Sequence, residues 1–306
     1  MTQKLAIGID LGGTNLRCAL VDENGKIIQS AKAKTPVAEG PEATSQKMNE
    51  LIRSVLASSG SEQIVGVGIG SPGPLSRSKK MIFQTPNLPG FDAFPLGVRV
   101  EELSGQKVFL DNDAKSAAFG EMYFGVAQKI SNFILMTLGT GIGGGIFQNG
   151  QMIYGKSDGA CEIGHLTLYP EGNHCKCGNR GCFEQYCSAT AIERRASLAK
   201  GKQVHAEELF TAYQNGERWA LECCEQVAKD LAVASASLVN IFEPSMIVFG
   251  GGIFTEGGGP LISLIKKEII GRCFKSSQEG LEIKSSSLAG NAGVLGAAAM
   301  VFHHNI

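Results

Sequence analysis

The chain has 306 residues and a net charge of −1, so no global basic field favours nucleic acid or an anionic membrane surface. With 43% hydrophobic residues it can bury one large core or two medium ones, and no apolar run approaches the roughly 20 residues of a membrane span. Nine cysteines is an odd number, and the start Met1-Thr-Gln-Lys-Leu has no export pattern. A cytoplasmic protein is expected, with thiols used for packing or metal rather than for disulfides.

The first apolar run, Leu5-Ala-Ile-Gly-Ile9, reads as a buried strand. The turn Asp10-Leu-Gly-Gly-Thr-Asn15 follows, then an alternating strand from Leu16 to Val21. Asn24-Gly25 is a strong hairpin signal, so the glycine turn lies inside an antiparallel hairpin. Met48, Leu51, Ile52, Val55 and Leu56 share one face of a helix expected from about Pro41 to Ala57. Ile64 to Ile69 is a strand leading into Ser71-Pro-Gly-Pro74, and a Pro-rich loop covers 85–90. The strand Val108 to Leu110 then runs into Asp111, Asn112 and Asp113, and a small-residue helix begins at once. Open α/β sheets place ligands at such strand ends. Asp113 is the candidate general base; the plainer reading is that Asp111 or Asp113 caps the helix.

The pattern restarts after residue 126. Asn132 to Leu138 is a strand, Gly139-Thr-Gly-Ile-Gly-Gly-Gly145 a glycine loop, and Asn149-Gly150 a second hairpin turn. Strand, glycine loop, strand, Asn-Gly, strand thus occurs twice, which predicts two related α/β lobes. A long helix is expected from about Glu217 to Phe242, ending before Pro244. Met246 to Phe249 is a strand ending in Gly250-Gly-Gly252, and Leu261 to Ile270 a helix. A small-residue helix over 290–300 is expected to pack back on the first lobe.

Gly139-Thr140-Gly141-Ile142-Gly143-Gly144 matches the dinucleotide fingerprint by letter, but that fingerprint needs a helix directly after the loop, and here a strand follows. A nicotinamide site is therefore rejected. There is no G-x-x-x-x-G-K-[ST] sequence either. Bare N–H groups of glycine turns still form anion-binding concavities, with Thr14, Asn15 and Thr140 as extra donors; each loop alone also fits a structural turn. Asp10 suits Mg²⁺, which takes oxygen ligands. Cys175, Cys177 and Cys182 lie within eight residues, and His165 ten residues earlier. Three thiolates and an imidazole make a closed zinc set; the alternative is three free loop thiols and a solvated His165.

Together these residues resemble the ROK family of sugar kinases, in the hexokinase and actin-like ATPase superfamily, over essentially the whole chain. Asp10-Leu-Gly-Gly-Thr-Asn15 is similar to the family's first phosphate motif, with Gly12, Gly13, Thr14 and Asn15 at the nucleotide. Leu138 to Gly145, with Gly139, Thr140 and Gly141, is similar to the second. Gly250, Gly251 and Gly252 resemble the adenosine motif. Glu162-Ile-Gly-His165 with Cys175-Lys-Cys-Gly-Asn-Arg-Gly-Cys-Phe-Glu184 resembles the sugar and zinc signature.

The resemblance implies two ribonuclease-H-like (actin-like ATPase) lobes with a cleft between them: a small lobe of 1–113 plus 291–306, and a large lobe of 114–290 carrying the zinc loop. It implies ATP with Mg²⁺, structural Zn²⁺ on His165, Cys175, Cys177 and Cys182, and a homodimer. Asn112, Asp113, Glu162, His165 and Glu184, joined by Gly73 and Asn87, would bind the sugar. The activity implied is phosphorylation of a hexose at its 6-hydroxyl, with glucose foremost; N-acetylglucosamine, N-acetylmannosamine, mannose and fructose kinases share the motifs. Sugar-sensing repressors of the family carry a helix-turn-helix before the first phosphate motif, and nine residues before Asp10 hold none. Lys115 and Asp111 depart from the residues many relatives have there.

Overall fold

The computed structural model of the protein describes residues 3–57, 62–83, 85 and 88–305. Asn87 lies outside the described residues. The chain forms two compact units, one of 1–128, 154–160 and 291–306, the other of 129–153 and 161–290.

In the first unit β1 (Lys4–Leu11), β2 (Asn15–Asp22) and β3 (Ile27–Lys34) form an antiparallel meander. Helix α1 (Gly40–Leu56) carries Pro41 in its first turn, where the fixed φ of proline suits a helix start. It buries Met48, Leu51, Ile52 and Val55, the face expected from their spacing. β4 (Gln63–Ser71) pairs parallel with β1. The short β5 (Leu75–Ser76) and β6 (Met81–Ile82) pair with each other, and α2 (Leu96–Ser104) follows. β7 (Val108–Asn112) then pairs parallel with β4 and passes straight into α3 (Asp113–Phe124). The strand order is β3-β2-β1-β4-β7.

In the second unit β8 (Phe133–Leu138), β9 (Ile142–Gln148) and β10 (Gln151–Met152) form the equivalent meander. Asn149 and Gly150 both have positive φ, 52° and 75°, as the favoured two-residue hairpin turn requires. Helices α4 (Glu184–Cys187), α5 (Ala189–Lys200), α6 (Ala206–Gln214) and α7 (Arg218–Phe242) follow. β11 (Met246–Gly250) pairs parallel with β8; α8 (Gly252–Thr255), α9 (Pro260–Ile269), α10 (Lys275–Gln278) and β12 (Glu282–Ser285) complete the unit. Its strand order, β10-β9-β8-β11-β12, repeats that of the first sheet position for position. The internal repeat read from the sequence is therefore a repeat of topology.

The last helix, α11 (Ala292–His304), packs on β1, β4 and α3 of the first unit. Glycines bring it there: a Cβ on Gly8 would fall 1.9 Å from Val294 O, and one on Gly68 1.9 Å from Ala297 O. The boundaries differ from those expected. The sequence reading divides the chain after residue 113, but α3 packs on α11 and belongs with the first unit, as does the returning segment 154–160. Among the described residues no helix is long and apolar enough to cross a membrane.

Candidate active site

The parallel strands of the first unit end in register. Asp10 pairs with Gly70, Gly70 with Asp111, and Ser71 with Asn112, so one sheet edge carries Asp10, Asp111, Asn112 and the start of α3. The Asp10 turn is a tight hairpin, with Gly12 N–H donating to Asn15 O at 3.0 Å and Thr35 Oγ1 to Gly12 O at 2.7 Å. Gly13, Thr14 and Asn15 are exposed. Burial raises the Asp10 carboxyl above its usual range, against the opposing charge of Arg17. A carboxylate penalised in this way, beside exposed turn amides, suits a hard cation.

The strand end resolves which residue caps α3. Asn112 is the N-cap, its Oδ1 accepting from Ala114 N at 3.0 Å and Lys115 N at 3.2 Å. The capping reading offered for Asp111 or Asp113 is thus corrected: Asn112, in extended conformation, is the residue whose side chain reaches back over the first turn. Its Oδ1 is taken, which leaves Nδ2 as a donor. A Cβ on Gly73 would lie 3.6 Å from that Nδ2, so the loop after β4 faces the same amide. Asp113 is exposed, with Oδ1 accepting from Ala114 N at 2.8 Å. Asp111 is 1% exposed, and burial raises its carboxyl.

In the second unit the structure gathers several expected residues around Ile142. The turn Gly139–Gly141 closes with Gly139 N–H on Gly141 O at 2.9 Å. Ala189 N donates to Gly139 O at 2.8 Å and Thr190 Oγ1 to Thr140 O at 3.2 Å. Ile142 N donates to Glu184 Oε2 at 2.9 Å, and a Cβ on Gly164 would lie 2.3 Å from Ile142 O. Glu184 and the Glu162–His165 turn therefore both abut the glycine loop. Gly251, at φ 88°, approaches the same strand end, its virtual Cβ 2.4 Å from Leu138 O. Gly250 ends β11 and Gly252 begins α8, so the two glycine loops of this unit are neighbours.

The metal-ligand atoms of His165, Cys175, Cys177 and Cys182 all lie within 4.8 Å of one another. Cys177 Sγ and Cys182 Sγ are 3.6 Å apart, and Cys175 Sγ is 3.7 Å from His165 Nδ1. Sulfurs bound to one tetrahedral zinc at about 2.3 Å sit about 3.8 Å apart, whereas a disulfide needs about 2.05 Å. Spacing and donor set fit zinc. Burial pushes the Cys182 thiol up to about 12, so a thiolate there needs a cation. Nδ1 faces the sulfurs, leaving His165 Nε2 for another partner.

A sequence profile of the ROK family matches residues 6–304. The chain belongs to the ROK family. It is similar to the glucokinase of Thermotoga maritima, 36% identical over 309 residues that cover 96% of each chain. It is also similar in structure to a ROK hexokinase from Thermus thermophilus, with TM-score 0.87, 32% identity and coverage of 98% of this chain and 99% of that one. A ROK glucokinase from Streptomyces griseus, solved with glucose and AMPPNP, matches with TM-score 0.81, 30% identity and the same coverage. The fold is the actin-like ATPase fold of these sugar kinases.

Against this ROK framework, three residues that contact Asp111, Lys115 or one another escape a reading of the sequence: Arg77, Tyr154 and Asp158. Tyr154 donates its hydroxyl to Asp111 Oδ2 at 2.7 Å. Arg77 Nε stands 3.3 Å from the same oxygen, its guanidinium 3.5 Å over the Tyr154 ring. Lys115, 2% exposed, donates to Asp158 O, and Arg77 N donates to Asp158 Oδ2 at 3.0 Å. The signal available was Lys115 itself, a cation inside an otherwise small-residue helix start.

Proposed function

We propose that this protein is an ATP-dependent glucokinase that phosphorylates glucose at its 6-hydroxyl, with Asp113 as general base. The observation that carries the reading is Asp113 exposed at the end of β7, beside Asp10 and its glycine turn. The Thermotoga maritima and Streptomyces griseus glucokinases support the substrate.

A sugar hydroxyl is a weak nucleophile, and a carboxylate within hydrogen-bond reach accepts its proton as it attacks phosphorus. Asp113 does so here. Asn112 Nδ2, the Gly73 loop, Glu162, His165 Nε2 and Glu184 hold sugar hydroxyls, together with Asn87. Phosphoryl transfer otherwise needs positioning and charge stabilisation. The N–H groups of Gly13, Thr14 and Asn15, and of Thr140 and Gly141, would supply both to the phosphates, from turns that the Gly12 and Gly139 N–H groups close on Asn15 O and Gly141 O, while Gly250, Gly251 and Gly252 would bound the adenosine. Asp10 would hold Mg²⁺, which would neutralise phosphate charge. His165, Cys175, Cys177 and Cys182 would hold Zn²⁺, which with four protein ligands would serve to shape the sugar loop rather than to take part in the reaction. The cytoplasmic setting and the homodimer belong to the same reading.

The test is a coupled ADP-release assay with Mg-ATP on glucose, mannose, fructose, N-acetylglucosamine and N-acetylmannosamine, beside Asp113→Asn. Glucose turnover that falls by about 10²–10⁴ in the variant is expected. Preference for another sugar moves the protein to a sister kinase. Unchanged turnover in Asp113→Asn removes the base. Binding of sugar with no turnover from any donor leaves a sensor.

A further inference from the structure

Segment 154–160 belongs to the first unit, although the chain on either side of it belongs to the second. It is a small loop closed at its neck. Ala160 N donates to Tyr154 O at 3.0 Å, and the Cys161 thiol donates to Ile153 O at 3.3 Å. Asp158 and Cys161 both have positive φ, 62° and 70°, a conformation that non-glycine residues adopt only when their surroundings hold them there.

What holds the loop is the buried side of the β7–α3 turn. Asp111, 1% exposed, spends Oδ1 on Asn112 N at 2.7 Å and Oδ2 on the Tyr154 hydroxyl at 2.7 Å. Asn112 in turn caps α3 through Ala114 and Lys115. Lys115 returns to the loop through Asp158 O, and Arg77 joins two points of it, stacked on Tyr154 and donating to Asp158. The polar contacts that hold the loop to this turn thus end on Asp111, Arg77 and Lys115, none of which carries the reacting atoms, and Asp113 lies between two of them in sequence.

We propose that loop 154–160 is a clasp and Tyr154 a positioning residue, fixing the Asp111–Asn112–Asp113 turn so that the Asp113 carboxylate is held on the reacting hydroxyl. The role rests on Asp113 being the base.

Tyr154→Phe tests this, because it removes one hydroxyl and keeps the ring under Arg77. Two readouts on the whole protein separate the clasp from the catalytic assignment. Hydrogen exchange at the amides of 112–115 is expected to speed up at least about tenfold while 117–121 stay protected, since only the turn loses its support. The kcat on glucose is expected to fall about tenfold with little change in KM for ATP, as misplacement of a reacting group predicts. Asp111→Ala combined with Tyr154→Phe is expected to be no worse than Asp111→Ala alone, because that variant already removes the acceptor of the Tyr154 hydroxyl. Tyr154→Phe with wild-type exchange at 112–115 and wild-type kcat overturns the proposal. So does a loss of thermal stability with kcat unchanged, which is a structural role alone. Faster exchange at 112–115 in a protein whose Asp113→Asn variant stays fully active supports the clasp and removes the base instead.

Discussion

Gly141→Ala is a sharp probe of the second unit's site, because its cause is a single contact. Gly141 does not have positive φ, so alanine brings no backbone strain. Its Cβ, however, would stand 2.3 Å from Glu184 Oε2, where ordinary contact begins near 3.4 Å. The carboxylate must retreat by about 1 Å, and Oε2 then loses its bond to Ile142 N, now 2.9 Å. A hydrogen bond to a charged group contributes about 1.5–3 kcal/mol, which sets the stability cost. A displacement of about 1 Å in a substrate-holding group costs about 10²-fold in rate. We therefore expect kcat/KM for glucose to fall about 10²-fold, read by coupled ADP release on Gly141→Ala, Glu184→Ala and the double variant. Glu184→Ala removes the clashing carboxylate, so adding Gly141→Ala to it is expected to cost less than about threefold further. Strictly multiplicative losses in the double variant, or a fully active Gly141→Ala, would refute the reasoning.

Metal and pH give two further outcomes. Cys182→Ser is expected to lose the bound zinc, read by metal analysis from about one per chain to near none, with a lower melting temperature; a wild-type protein that purifies without zinc would sink the assignment. Asp10→Asn is expected to raise the melting temperature at neutral pH while abolishing turnover. Burial raises the Asp10 carboxyl in the folded chain, so its ionised form costs stability there. That cost is absent well below the ordinary value of 3.8, grows as pH rises through the raised value and is full at neutral pH. The variant's advantage should therefore vanish toward pH 3; a constant advantage at every pH would show that the charge is not its cause.

Much of the fold was legible because its signals are local. Asn24-Gly25 and Asn149-Gly150 mark two hairpins, each with a glycine turn at its other end, and the two sheets repeat one strand order. The cysteine and histidine cluster was legible for the same reason: its three cysteines lie within one short loop, and the structure brings His165 to them. What stayed hidden depends on partners far along the chain. Tyr154 finds Asp111 at a separation of 43 residues, and Arg77 finds Asp158 at 81. Segment 154–160 has no periodicity, so nothing in its order of residues shows that it returns to the first unit. The cap was hidden for a different reason. Asp111, Asn112 and Asp113 are all good capping residues, and which one caps depends on where the strand stops hydrogen bonding, a property of the neighbouring strand.

The glycines carry the same distinction between local and distant causes. The chain has 40 of them, and close approach of backbone to a ligand is the reason that their clustering suggests. Gly12, Gly13, Gly139 and Gly141 remain assigned to that role. Gly8, Gly68 and Gly296 serve another: their virtual Cβ atoms meet Val294 O, Ala297 O and Ser116 O at 1.9–2.2 Å, the backbones of α11 and α3. A sequence cannot separate these uses, since both require a missing side chain. The separation comes from burial, because a glycine facing phosphate must be open and one facing a helix must not. Gly13 is exposed, whereas Gly8 and Gly68 are buried. By placing α11 against β1, these packing glycines also bring Gly293 onto Asp10, a Cβ there standing 2.5 Å from the carboxylate. The small-residue tail that looked like plain packing thus forms one wall around the proposed magnesium ligand, and part of the burial that raises Asp10 comes from it.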